Sequence, residues 1–232
     1  MSYFARAVAA LALVACLPAQ LRAQVSFQLQ AVSFQTSDGW TIHADLYGSG
    51  DRGLVLVHGG RFTKESWSQQ VPRFVLAGFR VLAIDLRGFG ASKNGLAALD
   101  PGFGSPLDVL AAVRYLRQAG VSTVSIVGAS MGADAAAGAS AEAKAGEIDR
   151  VVLLAGSAGE PPERLKGRKL FIVTERDANA AGPRLPAIRR QYGAAAGPKE
   201  LLVLEGDAHA QFIFQTDQGE RLMREILRFL TE

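Results

Sequence analysis

Ser130 stands in the pentapeptide Gly-Ala-Ser-Met-Gly at 128–132, directly after an apolar run. Glycines two residues to either side of a serine are typical of a sharp strand-to-helix turn that lifts the serine hydroxyl clear of a sheet. Such a hydroxyl becomes a nucleophile when a base removes its proton. A phosphate-binding or plain glycine-rich turn has the same pattern, so other residues must decide between these alternatives.

The base has to be sought among three histidines. His43 lies in a stretch of alternating polar and apolar residues and is expected to be a half-exposed strand residue. His58 precedes two glycines, and we expect it to hold their loop. His209 directly follows the last apolar run of the chain, and elimination favours it as the base for Ser130.

An acid has to accept a hydrogen bond from the histidine and stabilise its charge. Glu175 and Asp177 follow the apolar run 170–174. Asp177 is favoured because it lies past the end of the predicted strand, in a turn of small residues. Glu175 stays open as the alternative.

Two backbone amides are predicted to stabilise a developing oxyanion. One belongs to Gly60, in the glycine pair after the apolar run 54–58, and the other to Met131, directly after the serine. The amide of Arg61 is an alternative to that of Gly60, because the path of this loop cannot be derived from sequence.

The elements that must position these residues alternate along the chain. Six runs are apolar nearly throughout, as expected for strands covered on both faces: 54–58, 81–85, 124–128, 151–155, 170–174 and 201–205. Segments of helical character are predicted at 65–77, 107–118, 131–143, 183–192 and 220–230. This alternation predicts an α/β fold: a doubly wound, mainly parallel sheet with helices on both faces.

Residues 27–48 have a period of two on either side of a turn, which predicts an antiparallel hairpin at the sheet edge. Ligands bind beyond the carboxyl ends of the strands in such sheets. Residues 24–232 are accordingly predicted to form a single domain with its site at that edge.

The motifs and their order resemble those of the α/β-hydrolase family. They are His-Gly-Gly at 58–60, Asp-Leu-Arg-Gly-Phe-Gly-Ala-Ser at 85–92 and Gly-Ala-Ser-Met-Gly at 128–132, then an acid and a histidine that each follow a strand. The likeness covers essentially the whole chain after the first 23 residues. It implies a catalytic triad of Ser130, Asp177 and His209, and a reaction that needs no metal or organic cofactor.

Within that family the chain resembles the small enzymes that lack a cap domain, including those like dienelactone hydrolase. The latter carry a cysteine nucleophile where this chain has Ser130, so the resemblance does not imply lactone specificity. Residues 156–169, between two predicted strands, are too few for a cap domain.

Residues 1–23 have the pattern of a signal peptide: Arg6, an apolar run and a cleavage point after Ala23. Export to the periplasm or medium is therefore expected. Leu-Val-Ala-Cys at 13–16 also resembles a lipoprotein processing site, in which case Cys16 would tether the protein to a membrane.

Removal of the leader would remove Arg6 and Arg22 from the 25 basic residues and none of the 22 acidic ones, leaving a net charge of about +1.

That charge gives no reason to expect a nucleic-acid partner, and the oligomeric state cannot be derived. Cys16 is the only cysteine, so the processed chain would have no cysteine nucleophile.

The predicted function is hydrolysis of small or medium-sized carboxylic esters through an acyl-enzyme. A peptidase or thioesterase with the same triad, and a catalytically silent binding protein, are the alternatives.

Without a cap, strand-end loops must form the rim of the site. The longest of these is 92–106, which carries Phe103, while Phe62 and Phe212 lie next to the oxyanion loop and to His209. These three rings are predicted either to line an open, apolar acyl pocket or to pack into the core.

Overall fold

A computed structural model describes residues 28–93, 105–156 and 161–232 of the 232-residue chain. The leader with Cys16, and Phe103 in the loop at 92–106, lie outside these residues. The strands are β1 Gln30–Gln35, β2 Thr41–Tyr47, β3 Arg52–Val57, β4 Phe79–Ile84, β5 Thr123–Ala129, β6 Arg150–Leu154, β7 Arg168–Thr174, β8 Ala178–Asn179, β9 Gly182–Pro183 and β10 Lys199–Leu204. The α-helices are α1 Val71–Leu76, α2 Pro106–Gln118, α3 Met131–Glu142, α4 Leu185–Ala194 and α5 Gly219–Thr231.

Eight strands form one sheet in the order β1-β2-β4-β3-β5-β6-β7-β10. β1 pairs antiparallel with β2, and β2 antiparallel with β4, whereas all other pairs in this sheet are parallel. The mainly parallel α/β sheet and the antiparallel hairpin at its edge are both confirmed. β5, which leads to Ser130, lies between β3 and β6 in the interior of the sheet.

The two faces of the sheet bury separate apolar layers. Alternate residues of β3 belong to different layers, with Val55 and Val57 on one face and Leu54 and Leu56 on the other. The first layer also contains side chains of α2, α3 and α4, and the second contains side chains of α1 and α5. Helices therefore cover both faces, which explains why the central strands are apolar nearly throughout.

Two segments differ from the sequence prediction. The continuous helical segment predicted at 65–77 is instead a 3-10 helix, Lys64–Trp67, followed by the short α1. Pro72 in the first turn of α1 lacks the N–H that a continuous helix would need, so the chain has to begin a new helix there. The second segment is the β8–β9 ribbon, which sequence reasoning did not predict and which occupies the start of the helical segment expected at 183–192.

Candidate active site

Ser130 lies at the carboxyl end of β5, on the sharp turn into α3. Its φ of 51° is rare for a residue with a side chain, and its N–H donates a hydrogen bond to the Leu154 carbonyl oxygen at 2.8 Å. The two flanking positions must be glycine because other backbone atoms lie too close to leave room for a Cβ atom. A Cβ on Gly128 would lie 2.3 Å from the Gly132 carbonyl oxygen, and one on Gly132 would lie 2.5 Å from the carbonyl oxygens of Val57 and His58.

Positive φ angles outside glycine occur at three of the described residues: Ser130, Ala155 and Ala210. Ala155 directly follows β6, and Ala210 directly follows His209. All three therefore lie at the carboxyl edge of the sheet. Ser130 is itself a predicted catalytic residue and Ala210 is next to His209, and strained backbone of this kind often occurs at functional sites.

A continuous chain of contacts joins the three residues predicted to form a triad. His209 Nε2 lies 2.8 Å from Ser130 Oγ, and His209 Nδ1 lies 2.7 Å from Oδ2 of Asp177, which is 1 % exposed. A carboxylate only accepts hydrogen bonds, so it favours the tautomer with the proton on Nδ1 and leaves Nε2 to accept from the serine hydroxyl. Glu175, the alternative acid, has an exposed side chain and does not take this position.

The predicted oxyanion loop follows β3 and turns beside Ser130. The Phe62 N–H closes the turn onto the Gly59 carbonyl oxygen at 3.0 Å. Gly60 faces Met131, because a Cβ placed on Gly60 would contact the methionine Sδ at 3.6 Å. Met131 is the first residue of α3, so its N–H has no partner within the helix. The structure thus brings together the two residues predicted to donate amides.

Sequence reasoning missed Gln211, which ties the oxyanion loop to the histidine loop. The side chain is 5 % exposed, accepts from the Gly59 N–H at 2.8 Å and donates to Ser66 Oγ at 2.8 Å. Gln211 lies two residues after His209, so one short segment supports both parts of the site. The only sequence signal is that proximity, which is too weak to predict the contact.

His58 contacts the oxyanion loop and the segment after β4, and so holds the oxyanion loop as predicted. The buried ring accepts from the Leu86 N–H at its Nε2, 3.1 Å away, and its Nδ1 lies 2.9 Å from the Gly59 carbonyl oxygen. The first contact requires an unprotonated Nε2, so the ring is neutral with its proton on Nδ1. Burial lowers the pKa of His58 below its ordinary value of 6.5, which agrees with this tautomer.

The neutral state of His58 predicts a loss of stability in mild acid. The unfolded chain regains a histidine pKa of about 6.5, so unfolding takes up a proton once the pH falls below that value. The free energy of unfolding should therefore fall as pH is lowered through 6.5, and the fall should level off below the folded pKa. His58→Gln, whose amide oxygen can accept from Leu86, should reduce this dependence.

The measurement is urea unfolding at several pH values between about 7 and about 5. His43→Gln is the matched control, because it makes the same substitution at a half-buried histidine on the edge hairpin, away from the oxyanion loop. Equal pH dependence in wild type and His58→Gln would contradict the assignment of a neutral, depressed histidine.

Asp85 and Arg87, in the motif at 85–92 that follows β4, have structural roles. The buried Asp85 carboxylate accepts from the N–H groups of Lys64 and Ala91 at 2.8 and 2.9 Å. Arg87 Nη2 lies 2.8 Å from Oδ1 of Asp108, which is fully buried on α2. These contacts fix the loops beside the site without adding a group that faces Ser130.

A cleft of about 510 Å³ opens over Ser130 and His209. Its apolar wall includes Phe62 and Phe212, whose ring centroids are 5.1 Å apart. Both rings therefore line the cleft rather than the core, as one of the two sequence alternatives held. Arg61 and Arg184 also line it, so the cleft is less uniformly apolar than predicted.

The described ranges 28–93, 105–156 and 161–232 contain no group of histidine, cysteine or acidic side chains arranged to hold a metal ion. Within these same ranges, no helix has the length and apolar character needed to cross a membrane.

Comparisons with known proteins agree with this architecture. An esterase of Pyrococcus furiosus superimposes with a TM-score of 0.72 at 20% identity, over 88% of this chain and 92% of its own. A hydrolase of Thermoplasma acidophilum, described as CIB-like, gives 0.70 at 21% identity, over 88% and 98%. At these identities the likeness concerns the fold.

Among curated proteins, a 2-hydroxy-6-oxononadienedioate/2-hydroxy-6-oxononatrienedioate hydrolase of Burkholderia vietnamiensis is 30% identical over 173 residues. The match covers 69% of this chain and 57% of that relative, so the chain spans little more than half the relative's length. The sequence pattern of the Alpha/beta hydrolase family matches residues 54–228, from β3 to α5. The chain therefore belongs to the alpha/beta hydrolase family.

Proposed function

We propose that the protein is a serine hydrolase that cleaves carboxylic esters of small or medium size. The observation that carries the proposal is the chain of contacts from Ser130 Oγ through His209 to the buried Asp177, at the floor of an open cleft. Family membership and fold neighbours that include an esterase support it.

In the first half of the reaction, Ser130 Oγ attacks the ester carbonyl carbon while His209 Nε2 takes the hydroxyl proton. Asp177 stabilises the imidazolium that forms. The amides of Gly60 and Met131 hold the negative oxygen of the tetrahedral intermediate. The intermediate collapses when the carbon–oxygen bond to the alcohol breaks, and His209 returns the proton to the departing alcohol. An acyl group is left on Ser130.

Water completes the cycle by the same steps. His209 removes a proton from the water as its oxygen attacks the acyl carbon, and then donates that proton to Ser130 Oγ as the acyl bond breaks. The free acid leaves and the enzyme is regenerated. The phenylalanine pair at the cleft, Phe62 and Phe212, would hold the apolar part of the acyl group.

A fluorophosphonate probe tests the nucleophile directly, because it phosphonylates an activated serine. Labelling should be confined to the peptide with Ser130, located by mass spectrometry, and unfolding the protein first should abolish it. Matched ester, thioester and anilide substrates then test the bond type, and the ester should be cleaved fastest. Absence of labelling on folded protein would favour a silent scaffold, and faster thioester or anilide cleavage would favour the other hydrolase types.

Gln211 should contribute to the rate through the oxyanion loop rather than by contact with substrate. In Gln211→Leu the Gly59 N–H loses its acceptor, which costs about 1–3 kcal/mol in a buried site and frees the loop to shift. We expect kcat to fall about tenfold or more while KM changes little, because the loss concerns the transition state. Steady-state kinetics on a short nitrophenyl ester provide the measurement.

Gln215→Leu is the matched control, since Gln215 is exposed at the end of the 3-10 helix Ala210–Gln215, which also contains Gln211. It should keep the wild-type kcat. A rise in KM at constant kcat for Gln211→Leu would instead assign Gln211 to substrate binding.

A further inference from the structure

The cleft carries positive charge that the proposed reaction does not use. Arg184 and Arg61 both line it, and the described residues of its lining include no carboxylate. The acid nearest to Arg184 is the buried Asp177, which does not line the cleft and is shared with His209. Arg61 is exposed on the oxyanion loop. Arg184 directly follows β9 and precedes α4, and its side chain is only partly exposed.

Arg184 is held in a defined position rather than left free in solvent. Its N–H donates to the Asp177 carbonyl oxygen at 2.8 Å, which closes the ribbon, and its Nε lies 3.4 Å from Asp177 Oδ1. Asp177 uses its other oxygen, Oδ2, for His209. Nε makes the nearest contact of this ion pair, and the Arg184 side chain also lines the cleft, where its Nη groups can donate to a bound molecule.

We propose that the enzyme acts on esters that carry a second, anionic group, in particular a carboxylate, and that Arg184 binds this group with Arg61 at the rim. A guanidinium presents parallel N–H donors that match a carboxylate, and its charge is retained at any physiological pH. The apolar wall formed by Phe62 and Phe212 suits the carbon chain between the ester and the charge. This inference rests on the proposed ester hydrolysis for its reaction, but the anion site itself does not.

The kinetic test compares release of nitrophenol from two esters with the same carbon chain: mono-(4-nitrophenyl) adipate, which ends in a carboxylate, and methyl 4-nitrophenyl adipate, which ends in a neutral methyl ester. Wild type should show a kcat/KM at least about tenfold higher for the anion, since one charge-assisted contact contributes at least that factor. The ratio should fall to about one in the double variant Arg184→Met, Arg61→Met, and should shrink in wild type as salt is added. The neutral ester measures any damage to the triad in each variant.

Arg176→Met is the matched control, because it removes the same charge from an exposed position outside this cleft. It should keep the wild-type ratio. Equal kcat/KM for both esters in wild type, or the same ratio in the double variant, would overturn the inference even if ester hydrolysis is established.

A binding measurement separates this inference from the proposed function. Titration calorimetry of Ser130→Ala with adipate should detect binding, and adding Arg184→Met to that variant should weaken it about tenfold or more. Adipate binding that depends on Arg184, without cleavage of either ester by wild type, would sustain the anion site and refute the esterase. Cleavage of the neutral ester without adipate binding would do the reverse.

Discussion

Replacing Ser130 with alanine is expected to reduce kcat for ester hydrolysis by about a millionfold. The residual rate would be that supported by the oxyanion donors and substrate binding alone. The reason is chemical, because alanine has no atom that can attack the carbonyl carbon or form an acyl-enzyme. The fold should persist, since the change removes only the Oγ and leaves the glycines on either side of the turn in place. Activity on a nitrophenyl ester and the urea midpoint should be measured on the same preparation.

Ser122→Ala is the control for this substitution. Ser122 is exposed directly before β5, at the opposite end of the strand from Ser130, so its loss should leave kcat unchanged. Retention of more than about one per cent of wild-type kcat by Ser130→Ala would be far above the residual activity expected without a nucleophile and would remove Ser130 from that role.

Gly132→Ala is expected to cause a large loss of stability. The new Cβ would lie 2.5 Å from two backbone carbonyl oxygens, those of Val57 and His58. Val57 ends the central strand β3 and the buried His58 directly follows it, so neither backbone oxygen can move aside as a flexible side chain could. We expect the free energy of unfolding to fall by about 3 kcal/mol, at the upper end for overpacking. Urea unfolding measures it.

Gly193→Ala makes the same change in a different helix, α4, where a Cβ would meet no atom within 4 Å. Alanine is the better helix former, so this variant should be as stable as wild type or more stable by up to about 1 kcal/mol. Similar urea midpoints for Gly132→Ala and Gly193→Ala would mean that α3 can move away from β3 at little cost.

The sheet could be predicted because its strands are buried on both faces and are therefore apolar throughout. The predicted runs coincide with β3 to β7 and β10 within a few residues. The positions of Ser130 and His209 could then be predicted, because each follows a strand of this sheet and the carboxyl ends of parallel strands share one edge. Asp177 was preferred to Glu175 because it lies beyond the end of β7, and its carboxylate does contact His209.

Contacts between loops could not be predicted, because loop paths depend on packing rather than on periodicity. The β8–β9 ribbon has two residues in each strand, too few to show a period, and it carries Arg184 to the cleft. Gln211 contacts Gly59 across 152 positions of the chain. No local pattern encodes such a pairing. Pro72 is a local signal for a helix that begins at α1, since proline is tolerated in the first turn of a helix but not in its interior.

Because of the positive φ at Ser130, selection for stability and selection for activity should favour different residues at this position. With φ at 51°, this position favours glycine on conformational grounds, although only a residue with a nucleophilic side chain can serve the proposed chemistry. A laboratory lineage screened only for heat resistance would accept glycine there and lose turnover. Screens for robust variants of this protein should therefore retain a catalytic readout in every round, because the conformation that exposes the nucleophile also makes its loss advantageous to the fold.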